Sequence, residues 1–188
     1  MNHERVEQLV RELLSEIGED PDREGLLKTP HRVAGALEFL TSGYRTDSAE
    51  MINGAIFHQQ TNNMIIAKNI ELYSLCEHHM LPFYGRCHIG YIANGKVFGI
   101  SKLARLVNLF SRQLQIQERL TEQIARCIKD TIEAEGVGVI IEARHLCMMM
   151  RGVEKQNSMM VTSSVLGSFH DSSATRNEFI SLIGHSCS

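Results

Sequence analysis

The order in which helical and strand-like patterns follow one another constrains the fold of this chain most strongly. Apolar residues recur at helical spacing in 6–17, 29–43, 101–110, 118–135 and 175–183. Strand-like patterns occupy 64–72, 86–93, 96–100, 137–150 and 161–169. Because the strands follow one another in groups and do not alternate singly with helices, this order predicts an α+β fold with a mainly antiparallel sheet.

Turn signals and a stretch without periodicity divide the chain further. Asn94-Gly95 separates two strand-like runs, and both central residues of a type I′ turn need positive φ, so we predict a hairpin there. Gly136 is predicted to end the helix before it. Residues 44–63 lack periodicity and are interpreted as a connection. We therefore expect a helical extension with its connection at 1–63 and a sheet-containing domain at 64–188.

Composition and charge exclude several classes of protein. The formal net charge is −3 and no run of lysines and arginines occurs, so no general nucleic-acid-binding surface is expected. No apolar run approaches the roughly 18 residues needed to span a bilayer, and the charged first residues show no signal-peptide pattern. Five cysteines without a secretion signal argue against a disulfide framework. We expect a cytoplasmic protein that binds neither nucleic acid nor membrane.

The segment Cys76-Glu77-His78-His79 is the first candidate for metal binding. Cys76 and His79 stand three residues apart, close enough to hold one ion from a single turn. Zinc favours thiolate and imidazole ligands in a tetrahedron. The spacing alone is equally compatible with a buried thiol beside a surface histidine.

A second cluster, His145-Leu146-Cys147, falls in the predicted strand 137–150. Side chains two apart in a strand point the same way, so we predict that His145 and Cys147 share a face. If that face meets the 76–79 turn, Cys76, His79 and Cys147 supply three ligands. A fourth position then stays open for water, as in catalytic zinc sites.

The residues leave other ligand sets open. His78 can replace His79 as the histidine ligand. A closed structural site with two cysteines and two histidines can also form, with both of these histidines or with His145. In the open arrangement, His78 and His145 flank the metal and suit proton transfer, since an unperturbed histidine has a pKa of about 6.5.

Lysine and arginine side chains are predicted to cluster near one helix N-terminus and one strand end. Ser101 opens the helix 101–110, and Lys102 and Arg105 are neighbours in its first turns, where free N–H groups also favour anions. Arg151 extends the predicted strand of His145. Arg32, in the first turn of the predicted helix 29–43, is a weaker candidate. These residues predict a polyphosphate site, whereas a solvated basic face is the plainer alternative.

Gln117-Glu118 begins the helix 118–135. A carboxylate accepts two hydrogen bonds side by side, which matches the adjacent N1–H and 2-amino donors of guanine. Acidic residues are also common in a first helical turn for electrostatic reasons alone.

Together these segments resemble the signature segments of type I GTP cyclohydrolases. The matching segments are Thr29–Ala34, Cys76–His79, Gly99–Arg105, Gln115–Thr121, His145–Val153, Val161–Ser163 and Thr175–Phe179. They occur in order and with similar spacing over about residues 5–183. Each motif is weak alone, but several in register are highly specific.

The resemblance implies the tunnelling fold, in which a four-stranded antiparallel sheet carries helices on one face and an N-terminal helical extension precedes it. Residues 64–188 would then form the catalytic domain. It also implies a homodecamer of two stacked pentamers, with active sites between subunits. The implied reaction is the hydrolytic opening of the guanine imidazole ring of GTP, which yields formate and 7,8-dihydroneopterin triphosphate.

The resemblance also implies a role for each candidate residue. Zn²⁺ would be bound by Cys76, His79 and Cys147. His78 and His145 would transfer protons, and Ser101 would lie near the ribose. Glu118, helped by Gln117, would anchor guanine. The triphosphate would be held by Lys102, Arg105 and Arg151, with Arg32 contributed by a neighbouring chain.

Two other functions remain as alternatives. A tunnelling-fold nitrile reductase acting on a deazaguanine would use a nucleophilic cysteine and a nicotinamide cofactor in place of a Cys/His/Cys zinc site. A zinc-stabilised oligomeric scaffold would bind zinc tightly without turnover.

Overall fold

The computed structural model describes residues 1–47, 51 and 56–184. The predicted connection at 48–50 and 52–55 and the last residues, 185–188 with Cys187, lie outside the described residues. The helices are α1 (His3–Glu16), α2 (Thr29–Leu40), α3 (Ile100–Ser111), α4 (Gln117–Ile132), α5 (Leu146–Met149), α6 (Ser168–Asp171) and α7 (Ser173–Gly184). A 3₁₀ helix spans Ser42–Arg45. No helix in the described part of the chain combines the length and apolar character needed to cross a membrane.

The N-terminal extension is a pair of helices held by their own side chains. Asn2 caps α1 by accepting a hydrogen bond from the Arg5 backbone N–H at 3.0 Å. The two helices pack together. His3 Nε2 lies 2.7 Å from Glu38 and His31 Nδ1 lies 2.9 Å from Glu7, so histidine–glutamate pairs join α1 to α2 in both directions.

The main sheet contains four antiparallel strands and one short parallel strand. The strands are β1 (Ile56–His58), β2 (Met64–Cys76), β3 (Pro82–Ile92), β4 (Lys96–Phe98), β5 (Leu114–Gln115), β6 (Gly136–His145) and β7 (Met160–Gly167). Their order is β5-β2-β3-β6-β7, and β5 runs parallel to the end of β2. A separate two-stranded sheet joins β1 to β4. The predicted α+β architecture with four antiparallel strands is confirmed.

One face of the main sheet is covered by the two long amphipathic helices. Helix α3 packs on β2, whereas α4 packs on β6 and β7. Their apolar faces meet the sheet in one core, to which α3 contributes Leu106 and Val107 and α4 contributes Leu120, Ile124 and Ile128, all fully or almost fully buried. This burial, rather than local propensity, fixes both helices against the strands.

The C-terminal helices lie against the opposite side of β3 and β6. Gly90 and Gly138 are paired in the β3–β6 register. A Cβ on either would meet the buried rings of Phe169 and Phe179, which contact each other edge to face with centroids 5.5 Å apart. The two glycines therefore make room for an aromatic pair.

The predicted Asn94-Gly95 hairpin is wrong. Only Gly95 has positive φ, at 75°, and β4 pairs with β1 rather than with β3. Strand β3 already lies between β2 and β6, so neither of its edges is free for β4. The strength of the local turn signal does not decide the partner when both edges are occupied.

Three predicted boundaries also need correction. The predicted strand 137–150 ends at His145 and is followed by the helical turn α5, so His145 and Cys147 do not share a strand face. Helix α4 ends at Ile132, with Glu133 in the left-handed region, and Gly136 begins β6. The predicted connection contains the 3₁₀ turn and β1, which pairs with β4 beyond residue 64.

The glycine–aromatic packing predicts the effect of one methyl group. In Gly138→Ala the new Cβ would lie 2.6 Å from Phe169 Cδ1 and 3.1 Å from Phe179 Cδ1. Because both rings are buried, we expect the free energy of unfolding to fall by about 1–3 kcal/mol. Urea unfolding at fixed protein concentration measures this change.

The matched control is Gly35→Ala in α2, where no atom lies within 4 Å of the new Cβ. Alanine in a helix interior is favoured over glycine, so its unfolding midpoint should stay the same or rise. Equal midpoints for the two variants would show that the rings do not need the space.

Candidate active site

The sheet topology brings several functional segments together at one end of the main sheet, where β2 and β6 finish and β3 starts. Strands β2 and β6 both run antiparallel to β3, so their carboxyl ends lie beside the start of β3. The pairing of Cys76 with Gln115 places the start of α4 at the same end of the sheet. The two clusters found in the sequence therefore meet although about seventy residues separate them.

A tight turn between β2 and β3 presents two histidines. The Cys76 carbonyl accepts hydrogen bonds from the backbone N–H groups of His79 at 3.4 Å and Met80 at 2.7 Å. Met80 has a φ of 54°, which lets the chain reverse before β3. His78 and His79 are both exposed, and their rings stand edge to face with centroids 6.4 Å apart.

The predicted metal ligands converge. One ligand atom each from Cys76, His79 and Cys147 lies within 4.8 Å of the other two. In the described part of the chain no fourth histidine, cysteine or acidic side chain joins this group. Two sulfurs and one imidazole nitrogen are a donor set that zinc prefers, and three protein ligands are typical of a catalytic rather than a closed structural site.

Cys147 reaches this cluster from the helical turn α5 rather than from a strand. Burial raises the pKa of its thiol, and the neighbouring Cys76 thiol raises it further, whereas Arg151 acts in the opposite direction. Because a metal binds thiolates, binding at this pair must release protons and must strengthen as pH rises.

Arg151 contacts the cluster directly. Its Nη1 lies 2.9 Å from His79 Nε2. A guanidinium only donates, so His79 Nε2 accepts this hydrogen bond. Arg151 follows α5 and is exposed, which puts a positive charge beside the cluster even though the strand assumed in the sequence analysis ends at His145.

His145 is held between β3 and α4. Its ring stacks on that of its cross-strand partner Phe83, with centroids 4.6 Å apart and planes 7° from parallel. Its Nε2 lies 2.8 Å from Gln117 Oε1. Burial lowers the pKa of His145, and the negative charge of Glu118 partly offsets that effect. Glu118 is exposed at the start of α4 and lies close enough to act on this ring.

Gln117, by contrast, is almost completely buried, with an exposed fraction of 1%. Its Nε2 donates towards the backbone carbonyls of Ile141 at 2.9 Å and Met160 at 3.0 Å. Both ends of its amide therefore have partners within this chain.

The cationic side chains on α3 and α2 make their contacts outside the cysteine–histidine cluster. Lys102 Nζ donates to the Met51 carbonyl, and Arg105 lines a cavity of about 170 Å³ that Met51 and Arg112 also line. Ser101 is exposed at the start of α3, and Arg32 borders an open depression formed with the loop before α2. Within the described residues, no hydrogen bond or ion pair joins these four side chains to the cysteine–histidine cluster.

Two contacts at the site were not anticipated from the sequence. Phe83 under His145 depends on the β3–β6 register, for which the sequence carries no local signal. Arg119 pairs with Glu77 and donates through Nε to Gln115 Oε1 at 3.0 Å, which ties the β2–β3 turn to α4. Arg119 belongs to the segment Gln115–Thr121 that resembles the family, and this resemblance could have pointed to it as a site residue.

Comparisons with known proteins agree over nearly the whole chain. The family model described as GTP cyclohydrolase I matches residues 6–184. The protein named GTP cyclohydrolase 1 from Leptospira biflexa is 59% identical over 178 residues, which cover 95% of this chain and 97% of that protein. The GTP cyclohydrolase 1 of Methylococcus capsulatus is 57% identical over 182 residues, which cover 97% of this chain and 98% of that protein.

Among solved structures, the apo form of the archaeosine synthase QueF-Like has a TM-score of 0.48 and 14% sequence identity, and it covers 57% of this chain and 97% of that chain. That likeness is too distant to carry an argument. The family model and the two relatives extend across both clusters and the N-terminal helices. On this evidence the chain belongs to the GTP cyclohydrolase I family.

Proposed function

We propose that this protein is a zinc-dependent GTP cyclohydrolase that opens the guanine imidazole ring of GTP by hydrolysis, releases formate and forms 7,8-dihydroneopterin triphosphate. The observation that carries the proposal is the convergence of Cys76, His79 and Cys147 beside His145 in a chain of this family. A bound zinc ion would supply Lewis-acid activation of water at neutral pH.

Proton transfer is assigned to His145 and His78. Hydrolytic ring opening needs a proton at the nitrogen that leaves the attacked carbon, and a group that takes a proton from water. His145 is fixed by Phe83 and Gln117, which supports a role in a geometrically demanding step. His78 lies on the exposed turn next to the ligand His79, which supports a role in exchange with solvent.

Guanine recognition is assigned to Glu118. Its carboxylate is exposed, and it lies close enough to His145 to affect that ring electrostatically. Two parallel hydrogen bonds from the guanine N1–H and 2-amino groups would hold the base beside the proton-transfer residue. Positioning of this kind is worth several kcal/mol of an activation barrier.

The triphosphate is assigned to Arg151, Lys102 and Arg105, with Ser101 near the ribose and Arg32 contributed by a neighbouring chain. Among these five residues, all of them described, Arg151 alone has a hydrogen bond to the cysteine–histidine cluster. Lys102, Arg105, Ser101 and Arg32 make no described hydrogen bond to the cluster, which supports sites built between subunits, in a decamer of two stacked pentamers. Strand β7 ends the sheet, and such an edge is suited to pairing with another chain.

The alternative functions are less well supported. A nitrile reductase would need a free nucleophilic cysteine, whereas Cys147 is grouped with Cys76 and His79, and the family match favours the cyclohydrolase. A zinc-stabilised scaffold would bind the metal without consuming GTP, so turnover separates it from the proposed function.

Removal of one ligand tests the metal assignment. We expect the wild-type protein to retain about one zinc per chain after dialysis, and Cys147→Ser to bind zinc at least about tenfold more weakly. Metal analysis across a series of zinc concentrations measures this difference. Cys127→Ser is the control, because Cys127 is half-buried on α4, contacts Thr131 and lies outside the cluster. Full zinc retention by Cys147→Ser would refute the ligand set.

Turnover of GTP tests the reaction and the role of His145. Incubation with GTP should release formate and a product that becomes a fluorescent pterin on oxidation. His145→Ala should lower kcat by about 10²–10⁴-fold, the usual contribution of a general acid or base. His170→Ala, an exposed histidine paired with Asp171 on α6, should keep wild-type activity. Undiminished turnover by His145→Ala would remove it from the mechanism, and zinc binding without any turnover would favour the scaffold.

A further inference from the structure

The buried amide of Gln117 can adopt only one orientation. One end of it lies against the carbonyl oxygens of Ile141 and Met160. Carbonyl oxygens accept hydrogen bonds and never donate, so the amide NH₂ group must face them. The amide oxygen is thereby turned towards His145, whose Nε2 lies 2.8 Å away.

A short chain of hydroxyl groups supports the same orientation. The Thr121 hydroxyl donates to the backbone carbonyl of Gln117 at 2.7 Å, which uses its one proton. The Thr162 hydroxyl, 2.7 Å from Thr121 Oγ1, must then donate to it. Thr162 Oγ1 is left to accept from Gln117 Nε2 at 3.1 Å. The two hydrogens of Gln117 Nε2 thus face three oxygens, the carbonyls of Ile141 and Met160 and the Thr162 hydroxyl, none of which has a hydrogen left to give back.

The imidazole of His145 must match this fixed acceptor. An amide oxygen only accepts, so His145 Nε2 must carry a hydrogen. A neutral histidine has one ring hydrogen, and with that hydrogen at Nε2 the other nitrogen, Nδ1, holds a free lone pair. Among the hydrogen bonds of the described residues, Nδ1 has no protein partner.

We propose that Gln117 is a positioning residue that holds neutral His145 as the Nε2–H tautomer, so that His145 exchanges its proton with the substrate through Nδ1. This inference rests on the proposed function, in which His145 is the proton-transfer group. As an acid, the imidazolium gives the Nδ1 proton to the nitrogen that leaves the opening ring and becomes the Nε2–H tautomer. As a base, that tautomer takes a proton from water at Nδ1.

This role differs from the guanine contact expected for Gln117 from the family resemblance. A residue that helps hold the base acts on substrate binding, so its loss raises KM. A residue that acts through His145 changes the chemical step, so its loss lowers kcat while KM changes little. The two roles are therefore separable by steady-state kinetics.

The first test compares Gln117→Met with wild type in the GTP assay. Methionine is similar in length but neither accepts nor donates strongly. We expect kcat to fall at least about tenfold, within the range of general acid–base catalysis, and KM for GTP to stay within about threefold. Gln123→Met is the matched control, because Gln123 lies on the same helix and bonds only to Gln115 among the described side chains. A raised KM with unchanged kcat would overturn the proposal.

The second test needs no turnover, and its deciding measurement is made on the wild-type protein. Solid-state NMR of full-length, zinc-loaded protein with ¹⁵N-labelled histidine, at mildly alkaline pH, reports which ring nitrogen carries hydrogen. The His145 signals are identified by their loss in His145→Ala. Hydrogen at Nε2 in the wild type, with a mixed or reversed pattern in Gln117→Met, supports the proposal. Hydrogen at Nδ1 in the wild type refutes it.

These measurements distinguish failure of the proposed function from failure of the role proposed for Gln117. If wild type shows no GTP turnover, the proposed function fails, while the tautomer measurement still decides whether Gln117 controls His145. If wild type turns over GTP but the ring carries its hydrogen at Nδ1, the proposed function stands and this inference fails.

Discussion

The backbone hydrogen bonds that hold β3 between β2 and β6 determine where the functional side chains lie. Because both neighbours run antiparallel to β3, Cys76 at the end of β2 and His145 at the end of β6 lie at the same end of the sheet. The turn after β2 and the helical turn after β6 then add His79 and Cys147. The sheet itself is stabilised by burial of one face under α3 and α4, so the core and the site depend on the same strand register.

Some side chains of the proposed site are held by contacts within this chain, whereas others have no described hydrogen bond to the cluster. His145 is fixed by ring stacking on Phe83 and by the Gln117 amide, and the turn of His78 and His79 is tied to α4 through Glu77 and Arg119. The groups proposed to bind a metal and to transfer protons thus stand at strand ends, on the tied turn after β2 and on the helical turn α5. Of the cationic side chains proposed for the triphosphate, Lys102 and Arg105 stand on α3 and Arg32 on α2, and none of the three makes a described hydrogen bond to the cluster.

Much of this arrangement could be predicted from the sequence, and the failures have physical causes. The convergence of Cys76, His79 and Cys147 was predicted because several segments resemble a known family in register, whereas the Cys–His spacing alone did not decide between a metal site and a buried thiol beside a surface histidine. The strand-face argument for Cys147 was wrong because local alternation does not reveal where a strand ends. The hairpin at Asn94-Gly95 failed because β3 had no free edge. The contacts of Phe83 and Gln117 depend on register across distant segments, which no local pattern contains.

In the proposed site, two cysteine sulfurs and a single imidazole bind one ion and leave one coordination position for a non-protein ligand. X-ray absorption at the zinc edge of the loaded protein tests it most directly. We expect two sulfur atoms at about 2.3 Å, one imidazole nitrogen at about 2.0 Å, and a fourth light atom that shows no imidazole scattering. A second imidazole in the coordination shell, or fewer than two sulfurs, would contradict it.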